Sequence, residues 1–195
     1  MWKGNITTVS PIPSNYCRNL TLCIWIAWVF EWEEQFTNAT FIAIKQCYEP
    51  MCTLGLPIPE RMIEQIDLKR YKAMESIIES LHGLREMYLD PNYICFQSAP
   101  SSFTCGSMLY GAISKGMFAI DILSPRPQIP FTGMTFERLC TDVCDFKYPS
   151  AAGNSSYYYN HHQTHYCNLT TAVTRVVDSV VGTVGGFYLQ TLKEL

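Results

Sequence analysis

A chain of 195 residues suits one domain or two small ones. Charged residues make up 16 % and hydrophobic residues 48 %, with 13 % aromatic, so there is ample apolar surface to offset chain entropy, and a disordered tail or linker is excluded. A net charge of -3 and the lack of any Lys/Arg cluster exclude the electrostatic footprint of a nucleic-acid binder.

Residues 1–18, with Pro11 and Pro13 among several Ser and Thr, read as an extended arm. From Asn19, a good N-cap, Trp25, Trp28, Trp32, Phe36, Ala39 and Ala43 recur at helical spacing and predict the first helix. Leu22, Ile24, Ile26, Val29 and Phe30 fill its other faces, so it is expected to be the central helix, buried on most sides. Pro50 bars its continuation, and a Gly/Pro turn from Gly55 to Pro59 follows. Glu60 to Asp90 is the clearest helix, with Ile63, Ile66, Ala73, Ile77, Leu81, Leu84 and Tyr88 on one stripe. Pro59 opens it and Asp90-Pro91 closes it. Twelve of the 31 charged residues lie in this segment, which marks one strongly solvated face.

Ser107 to Leu123 predicts a third helix, weakened by Gly111 and Gly116. The proline-spaced run Ser124 to Pro130 reads as a hinge, followed by a short helix from Thr135 to Cys144 and an exposed loop from Ser150 to Asn160. From Val173 to Leu195 a helical period conflicts with the strand preference of the valines and with Gly182, Gly185 and Gly186. The period persists over about six turns and is taken as the stronger signal. The expected organisation is an arm over 1–18, a helical core over 19–123 and a proline-hinged segment over 124–195 packed on the same core. The expected fold class is mainly α, a disulfide-stapled helical bundle with long irregular connections.

Nine cysteines indicate an oxidising compartment or a metal, and the odd count leaves one thiol over. Eight fall in close pairs, Cys17 with Cys23, Cys47 with Cys52, Cys95 with Cys105 and Cys140 with Cys144, at turns or element ends. Disulfides that pin helices are the expectation, and the connectivity stays open. Cys140 and Cys144 lie four apart on a helix and point one way, so each is expected to bond elsewhere. Cys167 stands alone as the free or intermolecular thiol. The intervals Cys17-x29-Cys47, Cys52-x42-Cys95 and Cys95-x9-Cys105 resemble those of insect odorant-binding proteins. The four-residue gap between Cys47 and Cys52, and the missing cysteine near Lys115, depart from that pattern, so the family is not assigned. The resemblance implies only that a helical, disulfide-clamped carrier is reachable with such intervals.

Asparagine fixes the compartment more firmly. Five of the eight Asn residues, Asn5, Asn19, Asn38, Asn154 and Asn168, open an N-x-Ser/Thr glycan acceptor, where chance gives about one. A secreted protein or the extracellular face of a cell surface is the expected location. Met1 to Asn5 is polar and the run Leu20 to Phe30 lacks a cleavage site, so the chain reads as a mature or trimmed piece of a longer precursor. That apolar run is also too short to cross a bilayer.

His161, His162 and His165 cluster beside Cys167, and with Cys140 and Cys144 they form the weak alternative of a metal site, most simply Cys140, Cys144, His165 and Cys167. The spacing fits no standard zinc motif, and no cofactor is expected. Tyr157, Tyr158 and Tyr159 beside the histidines resemble tyrosine-rich contact loops, so this loop is the first choice for a partner-binding surface. Catalytic motifs are missing, and the acidic run Glu31, Glu33 and Glu34 reads as a solvated helix face. The expected function is therefore non-enzymatic recognition of a protein partner by an N-glycosylated ectodomain. The alternative is an extracellular carrier that lines an apolar cavity with Trp25, Trp28, Trp32 and Phe36.

Overall fold

The computed structural model describes residues 12–96, 99–147 and 169–193, which are mainly helical, with no strand among them. The helices are α1 (Arg18–Val29), α2 (Glu33–Gln46), α3 (Glu60–Leu89), α4 (Ser102–Ala119), α5 (Phe136–Cys144), α6 (Leu169–Val181) and α7 (Leu189–Lys193), with a 3-10 turn at Ala99–Ser101. No helix among the described residues is long and apolar enough to cross a membrane. The described residues form two compact units, one drawn from those up to Lys72 with Pro130–Glu137 and those from Val184 onward, the other from Ala73–Ile129 and Arg138–Thr183.

The first predicted helix is two helices. α1 begins at Arg18 with Cys17 in extended conformation as its N-cap, so Asn19 lies inside the first turn and caps nothing. The break comes at Glu31, whose φ of 58° is left-handed, while the Trp32 N–H reaches back to the Ala27 carbonyl at 2.9 Å. That six-to-one bond after a left-handed residue is a Schellman ending, with glutamate where glycine is usual. α4 ends the same way: Asp121 has φ of 58°, its N–H bonds the Phe118 carbonyl at 3.2 Å, and the Ile122 N–H bonds the Met117 carbonyl at 3.0 Å. Neither α1 nor its exit is buried on most sides, because Ile26, Val29 and Phe30 are exposed.

In the first unit α1 and α2 pack directly on each other. Leu20 and Ile24 of α1 and Phe36 and Ile44 of α2 join Met62 and Ile66 of α3 and Leu189 and Leu192 of α7 in one apolar core. The helix expected from Val173 to Leu195 is corrected here. Its valine-rich part forms α6, Gly182 and Thr183 turn, and Val184 to Tyr188 is a non-helical strap leading to α7. The strap is fixed to α2. The Thr37 hydroxyl donates to the Phe187 carbonyl at 3.0 Å, and the Phe187 N–H donates to the Thr40 hydroxyl oxygen at 2.9 Å. A Cβ at Gly186 would lie 1.8 Å from the Thr37 carbonyl oxygen, so only glycine permits this approach.

In the second unit Met74, Ile77, Ile78 and Leu81 of α3 are buried, as are Leu109, Ile113 and Met117 of α4, Leu139 and Val143 of α5 and Val173, Val177 and Val180 of α6. α4 and α6 pack directly on each other. A Cβ at Gly116 would lie 2.6 Å from the Phe146 ring, so the glycine that weakens α4 gives that ring its seat.

The strap generates a paired prediction. Gly186→Ala is expected to destabilise the chain by about 1–3 kcal/mol through overpacking against Thr37. Gly185→Ala, where a Cβ meets nothing within 4 Å, is expected to change stability by under about 0.5 kcal/mol. Urea midpoints compare them, and equal midpoints would show that the strap is not docked in solution.

Candidate functional site

The residues singled out by sequence divide into those the structure places and those outside the described residues. Asn5, Asn154, Asn168, Tyr157, Tyr158, Tyr159, His161, His162, His165 and Cys167 fall outside. Asn19 and Asn38 sit in α1 and α2 with exposed side chains. Among the described cysteines no two stand at disulfide distance; Cys17 and Cys52 are exposed, and Cys47, Cys95 and Cys105 are buried. The Cys95 N–H donates to the Ser102 hydroxyl at 2.9 Å, one turn before Cys105 in α4. Burial, with the carboxylate of Asp178 nearby, pushes the Cys144 thiol above the usual range. Among the described residues no three His, Cys, Asp or Glu side chains converge as metal ligands.

The aromatic residues of the first predicted helix do come together, at the corner between α1 and α2. Phe36 is fully buried, with its ring centroid 5.8 Å from that of Trp28. Trp25, Trp28 and Trp32 are half-buried at the edge of the core. Beyond them Phe30, 55 % exposed, stacks on Trp32 with centroids 5.6 Å apart and planes at 28°. Exposed Ile26 and Val29 extend this apolar surface along α1. Charges brace its flank. Lys193 of α7 pairs with Glu31 and lies 5.7 Å from the Trp28 ring centroid, and Glu33 accepts the Leu189 N–H at 3.0 Å, which satisfies an orphan donor at the start of α7. Sequence reasoning found the tryptophans but missed Ile26, Val29 and Phe30 as surface, because nothing but the left-handed Glu31 breaks the helical period.

A second constellation is buried in the same unit. Arg70 is 0 % exposed, on the apolar stripe of α3. Its Nη1 donates to the Cys47 carbonyl at 2.7 Å, its Nη2 approaches the Pro130 carbonyl at 3.5 Å, and Nη2 lies 3.8 Å from Asp67 Oδ1. Asp67 in turn accepts the Met51 N–H at 3.1 Å. Burial raises the Asp67 carboxyl, against the lowering effect of the Met51 N–H and Arg70. Burial pushes the Tyr16 phenol and the Cys47 thiol beside this cluster both up to about 12. With both protons held this firmly, the pair offers neither a nucleophilic thiolate nor a base near neutral pH. It is a structural lock, and the aromatic corner is the better candidate for function.

Compared with known proteins, the chain matches no family model, no curated protein and no solved structure.

Two predictions follow from the buried lock. Arg70→Met strands the Asp67 carboxylate and is expected to cost about 3–5 kcal/mol, with part recovered in the double variant carrying Asp67→Asn. No recovery in a denaturation cycle would show that the two charges do not interact. The second concerns alkali. An ordinary thiol and phenol lose their protons near 9 and 10, whereas Cys47 and Tyr16 keep theirs to about 12. The unfolded chain therefore releases protons first, and this stabilisation is present below about 9 and lost as pH rises toward 12. Stability of the reduced protein is expected to fall across that range, less steeply in Tyr16→Phe.

Proposed function

We propose that the chain is a secreted or cell-surface N-glycosylated recognition protein that binds a protein partner without chemistry of its own, and that its contact surface includes the α1–α2 corner. The observation that carries the reading is the exposed, contiguous set Ile26, Val29 and Phe30 with Trp32 stacked beneath it. Rigid aromatic anchors ringed by polar groups are what protein interfaces use as hot spots. The tryptophans lie at the core's edge with partly wet rings, which favours docking over enclosure of an apolar ligand. In the other unit Phe96, Phe103 and Phe118 are more exposed than Phe30.

The compartment rests on the five acceptor sites and on nine cysteines, with disulfides among the eight closely spaced ones and Cys167 left for an intermolecular bond. The histidine- and tyrosine-rich segment from Tyr157 to Cys167 is proposed as a further contact region.

A photo-crosslinking residue at position 30, compared with one at exposed Glu64 on α3, tests the contact surface. The expected result is one dominant crosslinked protein from position 30 alone, competed by unlabelled chain, with affinity reduced by roughly 2 kcal/mol in Trp32→Ala. Equal, diffuse labelling from both positions would remove the corner from the proposal. Non-reducing peptide mapping with intact-mass measurement tests the compartment, and nine reduced thiols with no glycan mass would overturn it.

A further inference from the structure

Two of the five glycan acceptors lie among the described residues, and both lie inside helices. The side chains of Asn19 and Asn38 are exposed, but their acceptor threonines are not: Thr21 is 1 % exposed and Thr40 0 %. Successive side chains around an α-helix are about 100° apart, so residues i and i+2 point about 200° apart, on nearly opposite sides. A transfer enzyme that must engage the Asn amide and the Thr hydroxyl together cannot do so on a formed helix.

The Thr40 hydroxyl is also occupied. Thr40 donates to the Phe36 carbonyl at 2.8 Å and accepts the Phe187 N–H of the strap at 2.9 Å. Phe187 lies 147 residues beyond Thr40, so a chain made from its N-terminus presents Asn38 long before the strap exists.

From these contacts we infer that Asn19 and Asn38 are acceptors only in the nascent or unfolded chain, and that folding closes them by burying their own threonines. The inference rests on the secretory reading and adds an order of events to it. In the step itself the Asn Nδ2 attacks the anomeric carbon of an oligosaccharide carried on a lipid pyrophosphate. The N–C bond forms as the C–O bond to pyrophosphate breaks; the lipid pyrophosphate leaves with the electron pair, and Nδ2 gives one proton to a base of the enzyme. The finished glycans leave from exposed positions of α1 and α2, so the same fold that shuts the acceptors tolerates the product.

The test uses the full chain with a purified oligosaccharyl-transfer enzyme and a lipid-pyrophosphate oligosaccharide. One sample is folded, and the other is in urea that unfolds the chain but leaves the enzyme active on a control peptide spanning Phe36 to Ile42. Site occupancy is read by peptide mass. Asn19 and Asn38 are expected to be modified about tenfold or more faster in the unfolded sample, the ratio for sites that open only with the helices that carry them. Equal rates in both samples would overturn the inference, and so would a control peptide that is modified while the unfolded chain is not. The enzyme is supplied, so the result is independent of where the protein resides; a failure of the secretory reading shows instead as missing glycan mass on the natural product.

Discussion

The first unit depends on one buried cation. Arg70 occupies a place on the α3 stripe where an apolar residue would be cheaper, because removing a guanidinium from water costs several kcal/mol unless it is paired and hydrogen-bonded. Here the repayment is spread over three chain segments: the Cys47 carbonyl at the end of α2, the Pro130 carbonyl, and Asp67 one turn away on α3. Asp67 passes the constraint on by taking the Met51 N–H, so the turn after α2 is held at both ends. The Tyr16 N–H donates to Gln46 Oε1 at 2.8 Å, which ties the chain before α1 to the end of α2. A single ionic group thereby holds the end of α2 and the turn after it to α3 in a region where hydrophobic contact alone is non-directional.

The corner between α1 and α2 shows how a local rule is overridden. A glutamate in left-handed conformation costs about 1–2 kcal/mol relative to its relaxed backbone. The cost is met because the reversal lets Phe36 and Ala27 enter one core, closes the Schellman bond from Trp32 to Ala27, and sets Glu31 and Glu33 where α7 presents Lys193 and its free N–H groups. Asp121 repeats the device at the end of α4, so the motif is a helix ending in both places.

Much of the helical content was legible. Pro59, Asp90-Pro91 and the aliphatic stripe fix α3, because these signals are local and their causes lie within the segment. The conflict over the C-terminal stretch resolves residue by residue: the valines form α6, and the glycines form the strap, where Gly186 is demanded by a carbonyl some 150 positions earlier. Such a demand leaves no mark in the local period. The helix break at Glu31 was hidden for the opposite reason, since Trp25, Trp28, Trp32 and Phe36 keep a helical spacing straight through it. Arg70 was visible as a charge but not as a core residue, because its acceptors are backbone carbonyls, which every sequence has. The cysteine spacings marked helix ends or connections at Cys17, Cys47, Cys52, Cys95 and Cys144, whereas Cys23, Cys105 and Cys140 lie within α1, α4 and α5, and no two of the described sulfurs stand at bonding distance.

For the proposed recognition role, rigidity of the corner matters more than its area. Each rotamer-rich side chain immobilised on binding costs about 0.5–1.5 kcal/mol. Phe30 is already stacked on Trp32, Trp32 is held by its backbone bond to Ala27, and Trp28 lies between buried Phe36 and the Lys193 ammonium. Each of these contacts restricts a side chain before any partner arrives, and the cost is charged to folding. An exposed apolar surface restrained in this way has fewer rotamers left to order on binding than an unpacked segment of the same composition. In that proposed role Glu31, Glu33 and Lys193 would support the corner from α7 without having to touch the partner.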